Sequence, residues 1–118
     1  MESVMDANNH ITIGGKTIEL DADGFLANPD DWTLQVAEYF SAADGMLLTD
    51  EHWQVIRFAR DYFRTFNTSP MPKVIVKRLN RQLGNEHYSI RVLYSLFTEK
   101  PIRRICRYAG IPQPAGCT

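Results

Sequence analysis

From His10 the chain alternates apolar and polar residues: Ile11 and Ile13, a Gly14-Gly15 pair, then Ile18 and Leu20. A period of two broken by two glycines predicts a β-hairpin, because a tight two-residue turn needs positive φ and glycine adopts it without steric cost. Ile11, Ile13, Ile18 and Leu20 are expected to face the body. Asp23-Gly24-Phe25-Leu26 reads as a turn into a short extended piece.

Beyond Asn28-Pro29, an N-cap followed by proline at the first helical position, the period changes to that of helices. Trp32, Val36, Tyr39 and Phe40 form one apolar stripe, and Gly45 closes the connection after it. Thr49 caps a second helix through Phe66, with Asp50 and Glu51 at its positive end and Trp53, Ile56, Tyr62, Phe63 and Phe66 on a wide apolar face. This helix is expected to be central. Thr68-Ser69-Pro70 restarts the chain as a third helix ending at Gly84, with Val74, Ile75, Leu79 and Leu83 inward and Lys73, Lys77, Arg78 and Arg81 outward. A fourth spans about Ser89 to Phe97 on Ile90, Leu93, Tyr94 and Phe97. A fifth runs from Pro101 to Ala109, with Ile102 and Ile105 inward and Gly110 as terminator.

The fold class that follows is α+β, mostly α: an N-terminal β-hairpin packed on a bundle of about five helices, with a flexible C-terminal arm. At 118 residues and 44% apolar composition the chain suffices for one domain. Its expected parts are a disordered N-terminus (1–9), the hairpin region (10–26), a helical body (29–109) and a mobile arm (110–118). No stretch approaches the roughly 18 apolar residues of a membrane span, and Met1 to Asn9 lacks an apolar leader core, so a cytoplasmic location and no membrane insertion are expected. His10, His52 and His87 lack ligand spacing and there is no Cys-x-x-Cys pair, so neither a metal nor a cofactor is expected.

The net charge of −1 conceals a division. Met1 to Ala59 holds eleven acids and two bases, Arg60 to Thr118 three acids and eleven bases, so the halves stand near −9 and +8. Such a division fits a basic surface for an anionic ligand, nucleic acid or acidic partner, or mutual neutralisation of the halves. Because the third helix follows the second across a tight turn, a helix-turn-helix that binds DNA is one reading. Lys73, Lys77, Arg78 and Arg81 would then touch phosphates, and Asn80 and Gln82 would read bases. A solvated charged face is the other. The aromatic residues at helical spacing are core, and His52, behind the acidic first turn of its helix, is a candidate to pair with a carboxylate.

Two cysteines remain. In a reducing compartment they point to sulfur or redox chemistry, or to inert burial, before a structural disulfide. Cys117 is next to last, on a tail of glycine, proline and alanine that no packed core requires. Ten residues separate it from Cys106, an arm reaching about 30 Å at ~3.1 Å per residue, yet able to close at a modest entropic cost. The Thr118 carboxylate opposes a thiolate on Cys117, whereas docking near Arg103, Arg104, Arg107 or the basic stripe favours one. Cys117 is therefore the candidate carrier and Cys106 the candidate resolving thiol, although a small buried Cys106 is an equal reading of that residue alone.

Asp23-Gly24-Phe25-Leu26, Glu51-His52-Trp53, Phe66-Asn67-Thr68-Ser69-Pro70, Leu93-Tyr94-Ser95-Leu96-Phe97 and above all the tail from Ala109 to Cys117 resemble the DsrC/TusE family of sulfur carriers. The resemblance implies that Cys117 binds sulfur, and that Cys106 marks the two-cysteine type related to the gamma subunit of dissimilatory sulfite reductase. It further implies a persulfide on Cys117 or a trisulfide between Cys106 and Cys117. The implied partners are dissimilatory sulfite reductase, a sulfurtransferase donor of the DsrE type and a membrane-bound heterodisulfide-reductase-like complex. The chain would act as a protein co-substrate without independent turnover. The one-cysteine relatives, sulfur relays for tRNA thiolation, are the alternative. Thr98 to Ile105 departs from the family's usual Pro-x-Gly-Pro-Ala-Lys-Gln-Ala, and Gln113 stands where lysine is common, so partner contacts are expected to differ.

Overall fold

The computed structural model describes residues 10–114. Strands β1 (His10–Ile13) and β2 (Lys16–Glu19) form the antiparallel hairpin, with Ile11 opposite Ile18 and Ile13 opposite Lys16. Gly14 and Gly15 turn it at φ 59° and 81°. Ile11 and Ile18 are buried, and Ile13 and Leu20 pack at the margin of the same core, so the four residues face the body as their alternation requires.

Among the described residues five α-helices follow: α1 (Leu34–Ala43), α2 (Asp50–Phe66), α3 (Pro72–Leu83), α4 (Ile90–Phe97) and α5 (Pro101–Ala109). The Thr33 and Ser89 hydroxyls cap α1 and α4 by accepting the Val36 and Val92 N–H groups. Proline opens α3 and α5, and left-handed Asn67, Gly84 and Gly110 end α2, α3 and α5. The architecture is thus mostly helical, with one two-stranded sheet.

Several expected faces shift. Asn28 and Pro29 start only a single 3-10 turn, Pro29–Asp31, after which Trp32 and Thr33 are extended and α1 begins anew. Trp32 is therefore not on the α1 stripe; Val36, Ala37 and Phe40 are, and Tyr39 is 46% exposed. On α2 the buried line is His52, Val55, Ile56 and Ala59. Phe66 lies 47% exposed at the far end of that helix, with the Arg78 guanidinium 5.2 Å from its ring centre. Leu83, Ile90 and Tyr94 also face outward.

Among the described residues His52 has no carboxylate partner. Its Nδ1 accepts the Thr49 N–H at 3.0 Å and its Nε2 donates to the Leu96 carbonyl at 2.6 Å. One imidazole thus completes the start of α2 and ties it to α4, in the tautomer carrying its proton on Nε2.

The central helix is α5, not α2. It packs against α1, α2 and α4, and Pro101, Ile102, Ile105, Cys106, Tyr108 and Ala109 are all buried. A helix leaves its last four carbonyls without intrahelical partners, and burying them unpaired is costly. Here each is satisfied. The Ile111 N–H donates to Cys106 O at 3.0 Å and the Gly110 N–H to Arg107 O at 3.2 Å, the paired bonds of a Schellman turn. Trp32 Nε1–H donates to Tyr108 O at 2.7 Å, and Arg60 Nη1 to Ala109 O at 3.0 Å.

Gly110 permits this closure. Its φ is 71°, and a Cβ there would lie 2.5 Å from Trp32 Cδ1 and 2.9 Å from Leu26 Cδ1. Arg60 is itself fixed, its Nη2 donating to Pro29 O at 2.9 Å and its guanidinium standing 4.6 Å from the Trp32 ring centre. Burial, and then the neighbouring Arg64, hold its pKa below the ordinary arginine value.

Trp32→Phe should keep most of the packing but strand the Tyr108 carbonyl, lowering unfolding free energy by about 1–3 kcal/mol in denaturant titration. Gly110→Ala should cost at least as much, since it adds backbone strain to a clash. Unchanged midpoints in both variants would contradict the capping account. His52→Leu should cost about 2 kcal/mol by the same assay, because it frees the Thr49 N–H and the Leu96 carbonyl together.

Candidate functional site

The expected site residues fall into three places. Cys117 lies outside the described residues, as do the first nine positions, for which disorder is expected. Cys106 is on the last turn of α5 with no solvent exposure. The basic candidates divide between α5 and α3.

On α5, Arg103 and Arg107 lie on the side facing the Asp21–Phe25 turn that follows β2. The Arg103 guanidinium sits 5.0 Å from the Phe25 ring centre and its Nη2 donates to Asp23 O at 3.3 Å. Arg107 stands 4.4 Å from the Phe40 ring centre, donates from Nε to Gly24 O at 3.0 Å, and places Nη1 3.8 Å from Asp44 Oδ1. Arg103, Arg104 and Arg107 border a cleft of about 250 Å³ together with Asp44, Glu99 and Lys100. Tyr108 donates its hydroxyl to Asp44 Oδ2 at 2.6 Å; burial first, then Asp44, push that phenol well above the ordinary tyrosine value. Arg103 and Arg107 thus hold the turn after β2 against α5, a structural use that the sequence does not disclose.

On α3, Lys73, Lys77 and Arg81 are exposed and form no ion pair among the described residues. Their spacing places them along one line. Asn80 is not available to read bases: its Nδ2 donates to Tyr88 O at 2.8 Å and its Oδ1 accepts the Tyr88 N–H at 2.9 Å. That weakens the helix-turn-helix reading and leaves Gln82 as its one remaining base reader.

The root of the tail was expected to swing freely from Gly110. Instead its first part is packed. Ile111 and Pro114 are buried, and Ser69 Oγ donates to the Pro112 carbonyl. The reason is the closure of α5: once the Ile111 N–H turns back onto Cys106 O, the Ile111 side chain is carried into the core. The reach of Cys117 is therefore counted from the buried Pro114, three residues or about 9 Å, and not the ~30 Å counted from Cys106. Arg60, Trp32 and Ser69, which set this root, carry no local sequence signal; they stand 49, 76 and 43 positions from the carbonyls they hold.

Among the described residues, no group of three or more His, Cys, Asp or Glu side chains is placed to hold a metal ion. The arrangement offers one buried cysteine directly beneath the start of a tail that ends in a second.

Comparison with known proteins agrees with this geometry. The chain is 38% identical over 103 residues to the sulfurtransferase TusE of Yersinia pseudotuberculosis, a match covering 87% of this chain and 95% of that protein. The solution structure of DsrC from Allochromatium vinosum superimposes with a TM-score of 0.85 at 37% identity, over 93% of this chain and 98% of that one. The oxidised gamma-subunit of the dissimilatory sulfite reductase, DsrC, from Archaeoglobus fulgidus does so with a TM-score of 0.79 at 33% identity, over 92% and 99%. The family model described as DsrC like protein matches residues 12–118, and the chain belongs to that family.

Proposed function

We propose that this chain is a protein sulfur carrier whose Cys117 bears sulfur and whose Cys106 resolves it. The observation that favours this reading is the bond from the Ile111 N–H to the Cys106 carbonyl, which starts the cysteine-bearing tail against the residue it must later meet. The few residues beyond Pro114 would offer the Cys117 thiol to a partner, and a segment that short returns to α5 at little cost in chain entropy. The family supports the carrier part of this reading, because relatives in it are named as a sulfurtransferase and as a sulfite reductase subunit.

The chemistry balances in two modes. In relay, a partner thiolate attacks the outer sulfur of the Cys117 persulfide, takes that sulfur and leaves Cys117 as thiolate, with no net oxidation. In resolution, the Cys106 thiolate attacks the inner sulfur; hydrosulfide leaves, its sulfur reduced by two electrons, and the two cysteines become a disulfide. A trisulfide between the same residues requires four electrons and four protons to yield two thiols and hydrogen sulfide. Either oxidised form then needs a reductant, a role suited to a membrane-bound heterodisulfide-reductase-like complex. Dissimilatory sulfite reductase and a donor of the DsrE type are the matching partners upstream. The dithiol state belongs in a reducing cytoplasm; among the described residues no helix is long and apolar enough to cross a membrane.

A relay for tRNA thiolation is the second reading, favoured by the TusE relatives. It requires Cys117 alone.

Incubation with polysulfide or a persulfidated donor should add 32 Da increments that disappear in Cys117→Ala; loading of that variant at the parental level would remove the carrier assignment. Cys106→Ser should still load, but should no longer release hydrosulfide or form the internal disulfide. Unchanged turnover of Cys106→Ser with its partners would favour the relay that needs Cys117 alone.

A further inference from the structure

A groove of about 680 Å³ opens between the start of α3, the length of α4 and the first turn of α5. Leu93 and Ile102 line it as nearly buried residues, whereas Ile90 and Tyr94 line it while standing 41% and 54% exposed. An eight-residue helix on a body of this size normally turns polar residues outward, so apolar side chains left open beside a slot mark a contact surface. The charge around it has one sign: Lys73 and Lys100 line the groove and no carboxylate does. Lys73 also begins the line of Lys73, Lys77 and Arg81, whose members lie about 6 Å apart along α3 and have no ion-pair partner among the described residues.

Lys100 is held at this edge by an unusual backbone. Thr98 and Lys100 both have positive φ, 61° and 54°, a conformation that costs residues with a Cβ about 1 kcal/mol or more each. A small-molecule site would converge several donors and acceptors on one ligand. Apart from main chain, this lining offers only the Tyr94 hydroxyl and two ammonium groups.

We infer that the groove receives an amphipathic helix of a partner protein, with apolar side chains at i, i+3, i+4 and i+7 over Leu93, Ile102 and Tyr94. Acidic residues on its flank face Lys73, Lys77 and Lys100. An apolar slot with an unpaired cationic border selects that chemistry, since apolar contact supplies the affinity and the cations reject basic helices. Ile102 lies one helical turn before Cys106, so the docked helix sits beside the segment that ends in the tail. The inference stands on the groove alone and is independent of the sulfur reading.

The full chain, labelled with 15N, is titrated with a synthetic helix-forming peptide of about 15 residues carrying leucines at that spacing and glutamates on the flank. A second peptide has lysine at every glutamate. The acidic peptide should shift amides of residues 90–94 and 100–102, and the basic one should bind about tenfold more weakly. Lys73→Glu/Lys100→Glu should reverse that preference, and Tyr94→Ser, at an exposed position, should weaken the acidic peptide about tenfold while leaving the circular dichroism spectrum unchanged. Shifts elsewhere, no shifts, or equal binding of both peptides would overturn the inference. So would self-association through these residues in sedimentation, or binding that appears only after residues 1–9 are removed.

Discussion

The end of α5 is the constraint on which the rest of the structure turns. A helix buried at its C-terminus exposes four carbonyls to a medium without water, and each must find a donor. Two donors come from the chain turning back at Gly110, and two come from Trp32 and Arg60, far away in sequence. Meeting that requirement draws the Trp32 ring out of a regular helix, gives Arg60 its place and sends Ile111 into the core. The same closure decides where the cysteine-bearing tail begins.

A second consequence concerns charge. Three arginines within a nine-residue helix are unexpected at the centre of a small protein, and two of them are accommodated because Arg103 and Arg107 place their guanidinium groups over the Phe25 and Phe40 rings. Their donors then satisfy the Asp23 and Gly24 carbonyls, so the cations fasten the turn after β2 to α5. Asp44 adds its carboxylate between Arg107 and Tyr108. The acidic and basic halves of the chain meet here, while the cations of α3 remain outside that arrangement.

Local signals in the sequence were strong wherever the physics is local. The Gly14-Gly15 turn, the Thr49 and Ser89 caps, the proline starts of α3 and α5 and the closing Gly84 and Gly110 can all be read directly, as can the resemblance carried by the tail. The centrality of α5 was hidden, since Arg103, Arg104 and Arg107 make that segment look polar. Periodicity likewise placed Tyr39 and Phe66 inside, although α1 starts later than Asn28-Pro29 suggests and α2 outruns the core. The partners of Trp32, Arg60 and Ser69 are set by tertiary packing, and no window of sequence contains them.

For a carrier, a fixed root and a short reach are complementary. The root sets where the tail leaves the body, at the end of α5 and against Cys106. The most direct test is native-state hydrogen exchange of the Gly110 and Ile111 amides and the Trp32 indole N–H in the full chain. The account predicts protection comparable to the core amides of α5. Exchange at the rate of an unprotected peptide would contradict it.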